Sequence, residues 1–514
     1  MKVDTILILD FGGQYCHLIG KKIRKERVFS HIVSPKITLK EIERLNKKYK
    51  IKGLILSGGP LSVYEKGALK CNMSLFKLKL PILGICYGHQ LLAQIFGGKI
   101  EKGKLKEYGK TEVFIKKPIK ILKGLKKKET VLMSHQDKVV FLPPDFEILA
   151  FSKNTEICAF CHKKEPIFGV QWHPEVPETK NGQKIFQNFL FEICKCQKNW
   201  KIENVIEKEI QNIKKIVKNE KAIIAVSGGI DSACACVLAS KAIGKNLTAV
   251  FVDHGFLREG ETKEIENFFK SMGISFLILK EKERFFNKIK GVKDPEKKRK
   301  IIGREFIRVF EKVAKKVKAK YLIQGTIYPD RIESGIKKFS EKIKTHHNVG
   351  GLPSKIKFEK IIEPLRDLYK DEVREIAKKL NLPSKIIFRQ PFPGPGLAIR
   401  IIGKITKQKI ELLKKADKIV REEIEKTKLK DKLWQYFPIF TNIKTTGIKG
   451  DKRFYGYVIA LRVVESEQAM TAVFAKLPYQ VLEKISQRIT NEIPQISRVV
   501  YDISSKPPAT IEWE

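Results

Sequence analysis

The chain has 514 residues, which is too many for one hydrophobic core and predicts roughly two to four domains. Hydrophobic residues make up 42% of it, as in ordinary globular proteins, and no apolar run approaches the roughly 20 residues of a membrane helix. The net charge of +45 comes mainly from lysines spread along the whole chain. This spread favours a compositional bias over a nucleic-acid surface, so neither a nucleic-acid nor a membrane partner is expected.

Nine scattered cysteines and the absence of an export signal predict a cytoplasmic protein without a disulfide framework. Cys158, Cys161 and His162 have the spacing of a haem-attachment motif. Haem attachment of this kind belongs to exported chains, and the segment alternates like a strand. We therefore interpret the spacing as coincidence.

The first block, residues 1–197, alternates strands and helices. Strands are predicted at residues 3–9, 51–56 and 81–85, and a helix at residues 15–27. This alternation predicts a parallel sheet in an α/β layer fold.

The second block, residues 203–396, repeats this pattern after a charged helix. Its predicted strands and helices alternate over residues 222–226, 231–242, 247–252, 262–272, 275–279, 295–316 and 321–324. The segment 328–358 has no clear period, and we expect a mobile lid there. The third block, residues 397–514, predicts a small α+β domain with two helices and at least three strands.

Around Cys86 the sequence predicts a nucleophile at a turn from strand to helix. Gly84 and Gly88 flank it in the pattern G-x-C-x-G. Such an elbow holds its nucleophile at a helix N-terminus, where backbone N–H groups favour a thiolate and an oxyanion. Further along the chain, His173 can act as the base and Glu175 can orient it. We therefore predict a catalytic triad of these three side chains.

Over the whole first block, these motifs resemble the class I (triad) glutamine amidotransferases. The resemblance implies hydrolysis of glutamine to glutamate and ammonia through a thioester on Cys86. It also implies an oxyanion and glutamine-binding set, which comprises Gly58, Gly59, Tyr87, Gln90, His135 and Asp137.

A second anion-binding loop follows the strand predicted at residues 222–226. Its residues are Ser227, Gly228, Gly229, Ile230, Asp231 and Ser232. Small residues let backbone N–H groups and the following helix N-terminus face a phosphate. No lysine follows the glycines, so this is not the GxxxxGK[ST] loop. Asp231 would repel phosphate on its own, and we predict that it binds Mg²⁺.

The loop resembles that of the N-type ATP pyrophosphatases, which cleave ATP between the α and β phosphates. This group includes GMP synthase, NAD synthetase, argininosuccinate synthetase and tRNA-thiolating enzymes. The resemblance implies that residues 227–232 and Val252 bind ATP. Glutamine-dependent NAD synthetase carries a different amidase, and Cys234 and Cys236 lie on a predicted helix that does not suit sulfur transfer.

The Pro/Gly run at residues 391–396 and the segment 506–514 narrow the choice among the enzyme families of this group. Together with the earlier motifs they resemble the glutamine-hydrolysing GMP synthase family over nearly the full length. The resemblance implies two Rossmann-like parallel-sheet domains followed by a small α+β dimerisation domain. It implies that the O2 of XMP attacks the α-phosphorus of ATP, and that ammonia then displaces AMP to leave GMP.

The same resemblance implies a set of residues that bind XMP, which comprises Arg304, Gln435, Arg498, Lys506, Ile511 and Glu512. It also implies a homodimer formed through the third block. Because free ammonia would be protonated in water, we expect a closed path for it between the two active sites.

Overall fold

The computed structural model describes residues 2–330, 358–466 and 471–514. The predicted lid therefore lies almost wholly outside the described residues. The chain forms two compact units, residues 1–204 and 205–514. The predicted division into three domains, at residues 1–197, 203–396 and 397–514, stays a prediction.

The first unit contains a nine-stranded sheet in the order β2-β1-β3-β4-β9-β8-β7-β5-β6. Its strands are β1 (Val3–Leu9), β2 (Phe29–Val33), β3 (Tyr49–Leu56), β4 (Ile82–Ile85), β5 (Lys99–Ile115), β6 (Lys128–Phe141), β7 (Phe146–Ser152), β8 (Ala159–His162) and β9 (Ile167–Val170). Its helices are α1 (Cys16–Lys25), α2 (Leu39–Lys48), α3 (Tyr87–Ile95) and α4 (Gly182–Gln187).

This first sheet is mixed. Strands β2, β1, β3, β4 and β9 pair in parallel, as the alternation of elements predicts. From β9 to β6 the pairing is antiparallel. The antiparallel half was not foreseen, and its β5–β6 hairpin carries part of the candidate site.

The boundary between the two units falls inside helix α5 (Ile202–Val217). Residues 202–204 of this helix belong to the first unit, and the rest of the helix opens the second unit. A five-stranded, all-parallel sheet follows in the order β12-β11-β10-β13-β14. Its strands are β10 (Ala222–Ala225), β11 (Leu247–Asp253), β12 (Phe276–Lys280), β13 (Tyr321–Ile323) and β14 (Lys360–Ile362). The helices around it are α6 (Ile230–Ile243), α7 (Glu261–Ser271), α8 (Lys282–Ile289), α9 (Pro295–Lys316), α10 (Lys370–Lys379) and α11 (Ser384–Ile387).

The C-terminal part of this unit is a small α+β arrangement, as predicted. It contains α12 (Lys407–Glu425), β15 (Gln435–Lys449), β16 (Lys452–Glu465), β17 (Val473–Phe474), α13 (Tyr479–Glu492) and β18 (Ile496–Tyr501). Strand β16 pairs antiparallel with β15 and β17 and parallel with β18. One apolar core joins it to the parallel sheet, since Val250 and Ile223 cluster with Phe440 and Leu461.

Local capping explains where the long helices begin. Asp294 precedes α9, and its Oδ1 accepts a hydrogen bond from the Lys297 N–H at 2.7 Å. Pro295 occupies the first helical position, where a missing N–H costs nothing. Thr406 caps α12 in the same way, through the Lys409 N–H at 3.2 Å. These local signals place α9 at the bounds that the sequence predicts.

The nine cysteines are all free and buried. Cys158 and Cys161 lie at β8, which pairs with β7 and β9 on its two sides. Burial raises the pKa of the Cys158 thiol to about 12. Among the described residues, none of the helices has the length and apolar character to cross a membrane.

Candidate active sites

Cys86 lies at a tight turn between β4 and α3. Its backbone has φ 53°, a left-handed conformation that is rare outside glycine. A Cβ on Gly84 would lie 2.4 Å from the Gly88 carbonyl oxygen, and one on Gly88 would lie 2.3 Å from that of Leu56. The turn therefore closes only with glycine at both positions, as the predicted elbow requires.

The structure brings His173 and Glu175 together in a buried pair. His173 Nδ1 lies 2.7 Å from Glu175 Oε1. Burial disfavours the imidazolium, but the Glu175 carboxylate and the Cys86 side chain outweigh it and hold the pKa of His173 well above its usual value. A cation next to the sulfur stabilises negative charge on Cys86. A histidine oriented by a carboxylate is the base that a cysteine nucleophile needs.

The segment from Ser57 to Gly59 packs against the start of α3. Ser57 accepts the Gly88 N–H at 3.1 Å, and its Oγ accepts the Phe11 N–H at 3.0 Å. A Cβ on Gly58 would lie 3.1 Å from His173 Cε1, so Gly58 is next to the imidazole of His173. The first N–H groups of an α-helix have no intrahelical acceptor, which leaves the Tyr87 N–H available to an oxyanion.

The predicted glutamine-binding residues converge beside this elbow. Gln90 Nε2 donates to the Asp137 carbonyl oxygen at 2.8 Å and to Gln171 Oε1 at 3.1 Å. His135 Nδ1 lies 2.9 Å from the same Asp137 carbonyl oxygen. Asp137 Oδ1 accepts a hydrogen bond from Tyr64 Oη at 2.9 Å. His135 and Asp137 share a buried face of β6, because alternate residues of a strand point the same way.

Glu107 is a site residue that sequence reasoning missed. Its Oε2 lies 3.2 Å from His135 Nε2, and it accepts the hydroxyls of Ser152 and Thr155 at 2.9 and 2.7 Å. Burial favours the neutral carboxyl, but these hydrogen bonds outweigh it and lower the pKa of Glu107. Its place depends on the register of β5 and β6, in which Glu107 is directly opposite His135. Tyr64 and Gln171, which contact Asp137 and Gln90, were also missed, because no local sequence motif marks them.

The loop between β10 and α6 is shaped by its own hydroxyls. The Ser227 N–H donates to Ser232 Oγ at 3.2 Å, and the two hydroxyl oxygens lie 3.3 Å apart. Gly228 has φ +77°, and its carbonyl oxygen accepts Arg389 Nη1 at 2.9 Å. Val252 is buried in the neighbouring strand β11. Arg389 was not predicted as part of this site.

Asp231 lies in the first turn of α6, where its backbone approaches the end of β13. A Cβ on Gly325 would be only 2.8 Å from the Asp231 carbonyl carbon. One carboxylate oxygen pairs with Lys370, while Oδ1 is buried without a hydrogen-bond partner among the described residues. The part of the chain that the structure describes holds no cluster of three or more metal-ligating side chains. A cation here would rely on Asp231 and on oxygens from its substrate, as Mg²⁺ commonly does.

Part of the predicted XMP set comes together at the C-terminal tail. Gln435 Nε2 lies 3.3 Å from Glu512 Oε1 and 2.9 Å from the Pro391 carbonyl oxygen. Ile511 is buried in an apolar cluster with Phe437.

In the described part of the chain, the other predicted XMP-binding residues, Lys506, Arg304 and Arg498, do not belong to this group of contacts. Lys506 pairs through its backbone with Ala472, at 2.7 and 3.1 Å. Arg304 is exposed on α9 and Arg498 is exposed on β18. Within the described ranges, neither arginine forms an ion pair with Glu512.

Buried cations hold the C-terminal tail in place, although chain ends are commonly mobile. Lys298 and Arg299, in the first turns of α9, contact the Glu514 carboxylate and carbonyl oxygen respectively. Arg400 forms a forked pair with Glu512. None of these three cations was predicted as an anchor, because each is far from the tail in sequence.

Three sequence families match successive parts of the chain. "Glutamine amidotransferase class-I" covers residues 7–193, "PP-loop domain" covers residues 202–383, and "GMP synthase C terminal domain" covers residues 422–513. The glutamine-hydrolysing GMP synthases of Caldanaerobacter subterraneus subsp. tengcongensis and Caldicellulosiruptor saccharolyticus are each 50% identical to it over 516 residues, with 100% of both chains covered. The chain belongs to the glutamine-hydrolysing GMP synthase family.

A GMP synthase of Finegoldia magna is 48% identical over 515 residues, again with 100% of both chains covered. The resemblance drawn from the motifs is therefore confirmed at the level of the family. The fold class is confirmed as well, with the antiparallel half of the first sheet as an addition. The roles of the individual site residues stay predictions.

Proposed function

We propose that this GMP synthase family member hydrolyses glutamine at Cys86 and uses the ammonia to convert XMP into GMP, with ATP cleaved to AMP and pyrophosphate. One observation carries the proposal. A buried Cys86–His173–Glu175 arrangement and a PP-loop occur in one chain, which matches GMP synthases over its entire length.

At the first site, Cys86 Sγ attacks the carboxamide carbon of glutamine. The N–H groups of Gly59 and Tyr87 stabilise the oxyanion that forms. His173 then donates a proton to the leaving nitrogen, for which its raised pKa suits it. Ammonia departs, and a thioester remains on Cys86. Water activated by His173 hydrolyses the thioester to glutamate, while Glu175 keeps the imidazole in place.

At the second site, the O2 of XMP forms a bond to the α-phosphorus of ATP as the bond to the bridging β-phosphate oxygen breaks. The backbone N–H groups and hydroxyls of residues 227–232 bind the departing pyrophosphate. Ammonia then attacks C2 of the adenylated XMP, and AMP leaves. Adenylation is needed because a purine carbonyl oxygen is a poor leaving group.

Mg²⁺ is the cofactor we assign to this reaction. The unpartnered, buried Oδ1 of Asp231 fits a hard cation that also binds nucleotide phosphates. When bound, Mg²⁺ supplies positive charge that offsets the charge developing on pyrophosphate. Asp231 contributes the protein carboxylate at that position.

XMP binding is assigned to the second unit. Glu512 has carboxylate oxygens for purine N–H groups, and Gln435 lies beside it. Ile511 offers an apolar contact for the base. Lys506, Arg304 and Arg498 suit the nucleotide phosphate by their charge.

We also assign a homodimer formed through the C-terminal domain, in a cytoplasmic protein. Exposed apolar side chains on the β15–β16 hairpin favour a covered surface, since Ile448 and Tyr455 are 71% and 66% exposed and Ile443 is 60% exposed. The nucleotide substrates and the free cysteines fit a cytoplasmic location. Light scattering on the purified chain would give the mass, and a monomer at working concentration would contradict the dimer.

A product assay tests the reaction itself. The full chain is incubated with XMP, ATP, Mg²⁺ and either glutamine or ammonium chloride, and nucleotides and pyrophosphate are quantified. We expect GMP, AMP and pyrophosphate in equal amounts from both nitrogen sources. Pyrophosphate release that requires an acceptor other than XMP would instead assign the chain to another synthetase of the same type.

A further inference from the structure

The buried guanidinium of Arg400 donates hydrogen bonds to the side chain of Glu512. Its Nε lies 3.0 Å from Glu512 Oε2, and its Nη2 lies 2.8 Å from Oε1. Arg400 is fully buried, whereas the Glu512 side chain is 18% exposed. A forked pair of this kind fixes the plane of the carboxylate as well as its distance. Both oxygens of Glu512 are therefore held in a fixed orientation by one partner.

The surroundings of Arg400 leave it little freedom. Its guanidinium carbon is 3.8 Å from the ring centroid of Phe437 and 5.3 Å from that of Phe392. Its third nitrogen, Nη1, lies 3.9 Å from Oδ1 of Asp417, which is also fully buried. The guanidinium thus lies close to two rings and two carboxylates.

Charge balance also favours Glu512 in this position. Asp417 is shared by three arginines, because Arg421 Nε lies 2.9 Å and Arg258 Nε lies 3.4 Å from its Oδ2. Glu261 adds negative charge beside Arg258, and Glu425 and Glu264 add it beside Arg421. Glu512 is the carboxylate that pairs directly with Arg400, and a buried charge without such a partner is costly.

The remaining hydrogen-bonding capacity of Glu512 faces outward. A carboxylate has roughly four acceptor positions, of which Arg400 takes two. Gln435 Nε2 takes a third, at 3.3 Å from Oε1. The one position left, on Oε2, suits an N–H donor on the edge of a purine base.

We infer that Arg400 is a positioning residue for XMP, which acts by fixing the carboxylate of Glu512 so that its remaining acceptor position, on Oε2, is presented to an N–H group of the purine. This inference rests on the proposed function, in which Glu512 contacts XMP. Asp417 and the two aromatic rings hold Arg400 in place for that task.

Arg462 provides a matched control. It is also fully buried and also holds the tail, but it does so through backbone carbonyls of Thr510 at 2.9 Å and Ile511 at 3.4 Å. If the tail needs only to be anchored, the two arginines are equivalent. If the orientation of Glu512 matters, only Arg400 is coupled to that side chain.

The experiment is a double-mutant cycle on the full chain, with ammonium as the nitrogen source so that the glutamine site is not involved. KM for XMP, KM for ATP, kcat and Tm are measured for Arg400→Lys, Glu512→Gln and the double variant. The same cycle is run with Arg462→Lys in place of Arg400→Lys. If Arg400→Lys does not fold, Arg400→Gln replaces it, since it keeps N–H donors without a buried charge.

We expect Glu512→Gln and Arg400→Lys each to raise KM for XMP about tenfold, with KM for ATP within about twofold of the wild type. The KM for XMP of the double variant is expected to exceed that of the more impaired single variant by no more than about twofold. Arg462→Lys is expected to lower Tm and to combine multiplicatively with Glu512→Gln.

Three results would overturn the inference. Multiplicative effects of Arg400→Lys and Glu512→Gln, or equal coupling of Arg462 to Glu512, would leave Arg400 as an anchor only. If Glu512→Gln leaves KM for XMP unchanged while GMP still forms, both the inference and the assignment of Glu512 fail, but the proposed reaction stands. Absence of GMP formation by the wild-type chain would instead reject the proposed function.

Discussion

The two candidate active sites differ in how far protein groups alone assemble them. At the first, Cys86, His173 and Glu175 are buried, His173 is paired with Glu175, and the Cys86 side chain is near enough to raise the pKa of His173. At the second, the hydroxyls of Ser227 and Ser232 contact each other, and Asp231 pairs with Lys370. The contrast follows from the chemistry. A covalent catalyst has to supply the reacting atoms itself, whereas transfer between nucleotides leaves those atoms in the substrates, and the protein supplies donors that turn toward them.

Cys86→Ala is the strongest way to test the separation of the two sites. We expect glutamine-dependent GMP formation to fall by about 10³-fold or more, because no other group can form the thioester. Activity with ammonium chloride should stay within about twofold of the wild type. Both rates are measured by GMP formation, with Cys161→Ala as a buried-cysteine control. Loss of the ammonium activity in a folded Cys86→Ala variant would contradict two separable sites.

Asp231→Asn removes the carboxylate that we assign to Mg²⁺. We expect GMP formation to fall about 10²- to 10³-fold with glutamine and ammonium alike, because the amide lacks the charge that the cation needs. GMP formation and pyrophosphate release are both measured, with Mg²⁺ varied. Asp294→Asn, at the exposed cap of α9, is the matched control and should be nearly silent. A variant that loses only the glutamine reaction would place Asp231 outside the nucleotide site.

Glu175→Gln tests whether the first site depends on the negative charge that Glu175 holds next to His173. The Glu175 carboxylate opposes the effect of burial and keeps the pKa of His173 raised. An imidazolium exists below its pKa, so the raised value extends it toward alkaline pH. Without the carboxylate, the pKa of His173 falls and the imidazolium is lost at lower pH.

We therefore expect the glutaminase rate of Glu175→Gln to fall about 10- to 100-fold at neutral pH. The alkaline limb of its pH–rate profile should shift to lower pH. Glu178 is an exposed residue nearby, so Glu178→Gln serves as the control and should keep the wild-type pH–rate profile. An unshifted alkaline limb in Glu175→Gln would show that His173 is charged for another reason.

Glu107→Gln should have the smallest effect, because the residue acts through His135. We expect KM for glutamine to rise about three- to tenfold, with the ammonium reaction unchanged, because the negative charge 3.2 Å from His135 Nε2 is lost. Because the pKa of Glu107 is lowered by folding, its stabilisation is present above the unfolded value of about 4.3 and disappears as pH falls through the folded value.

The difference in free energy of unfolding between wild type and Glu107→Gln should accordingly shrink in acid. Denaturant titrations at neutral and acidic pH measure it. Glu112→Gln, on the same strand but exposed, is the control. A constant difference across pH would contradict a charged Glu107.

The features that could be predicted from the sequence are those whose determinants are local. The turn at Cys86, the loop at residues 227–232 and the start of α9 at Pro295 each depend on a few adjacent residues, and their places are those expected. Residues paired across strands or brought from distant segments were missed. Glu107 meets His135 only through the register of β5 and β6, and Arg400 meets Glu512 across a folded core. Register and long-range packing are set by the whole unit, so no local pattern reports them.

The buried cysteines make this chain a selective target for covalent chemistry. Burial raises the pKa of the thiols of Cys16, Cys71, Cys158, Cys161, Cys194, Cys234 and Cys236, which keeps them protonated and unreactive. Cys86 alone among the nine stands next to a histidine cation at a helix N-terminus. An electrophilic glutamine analogue would therefore attach a reporter at one position of the native protein, without removal of any other cysteine.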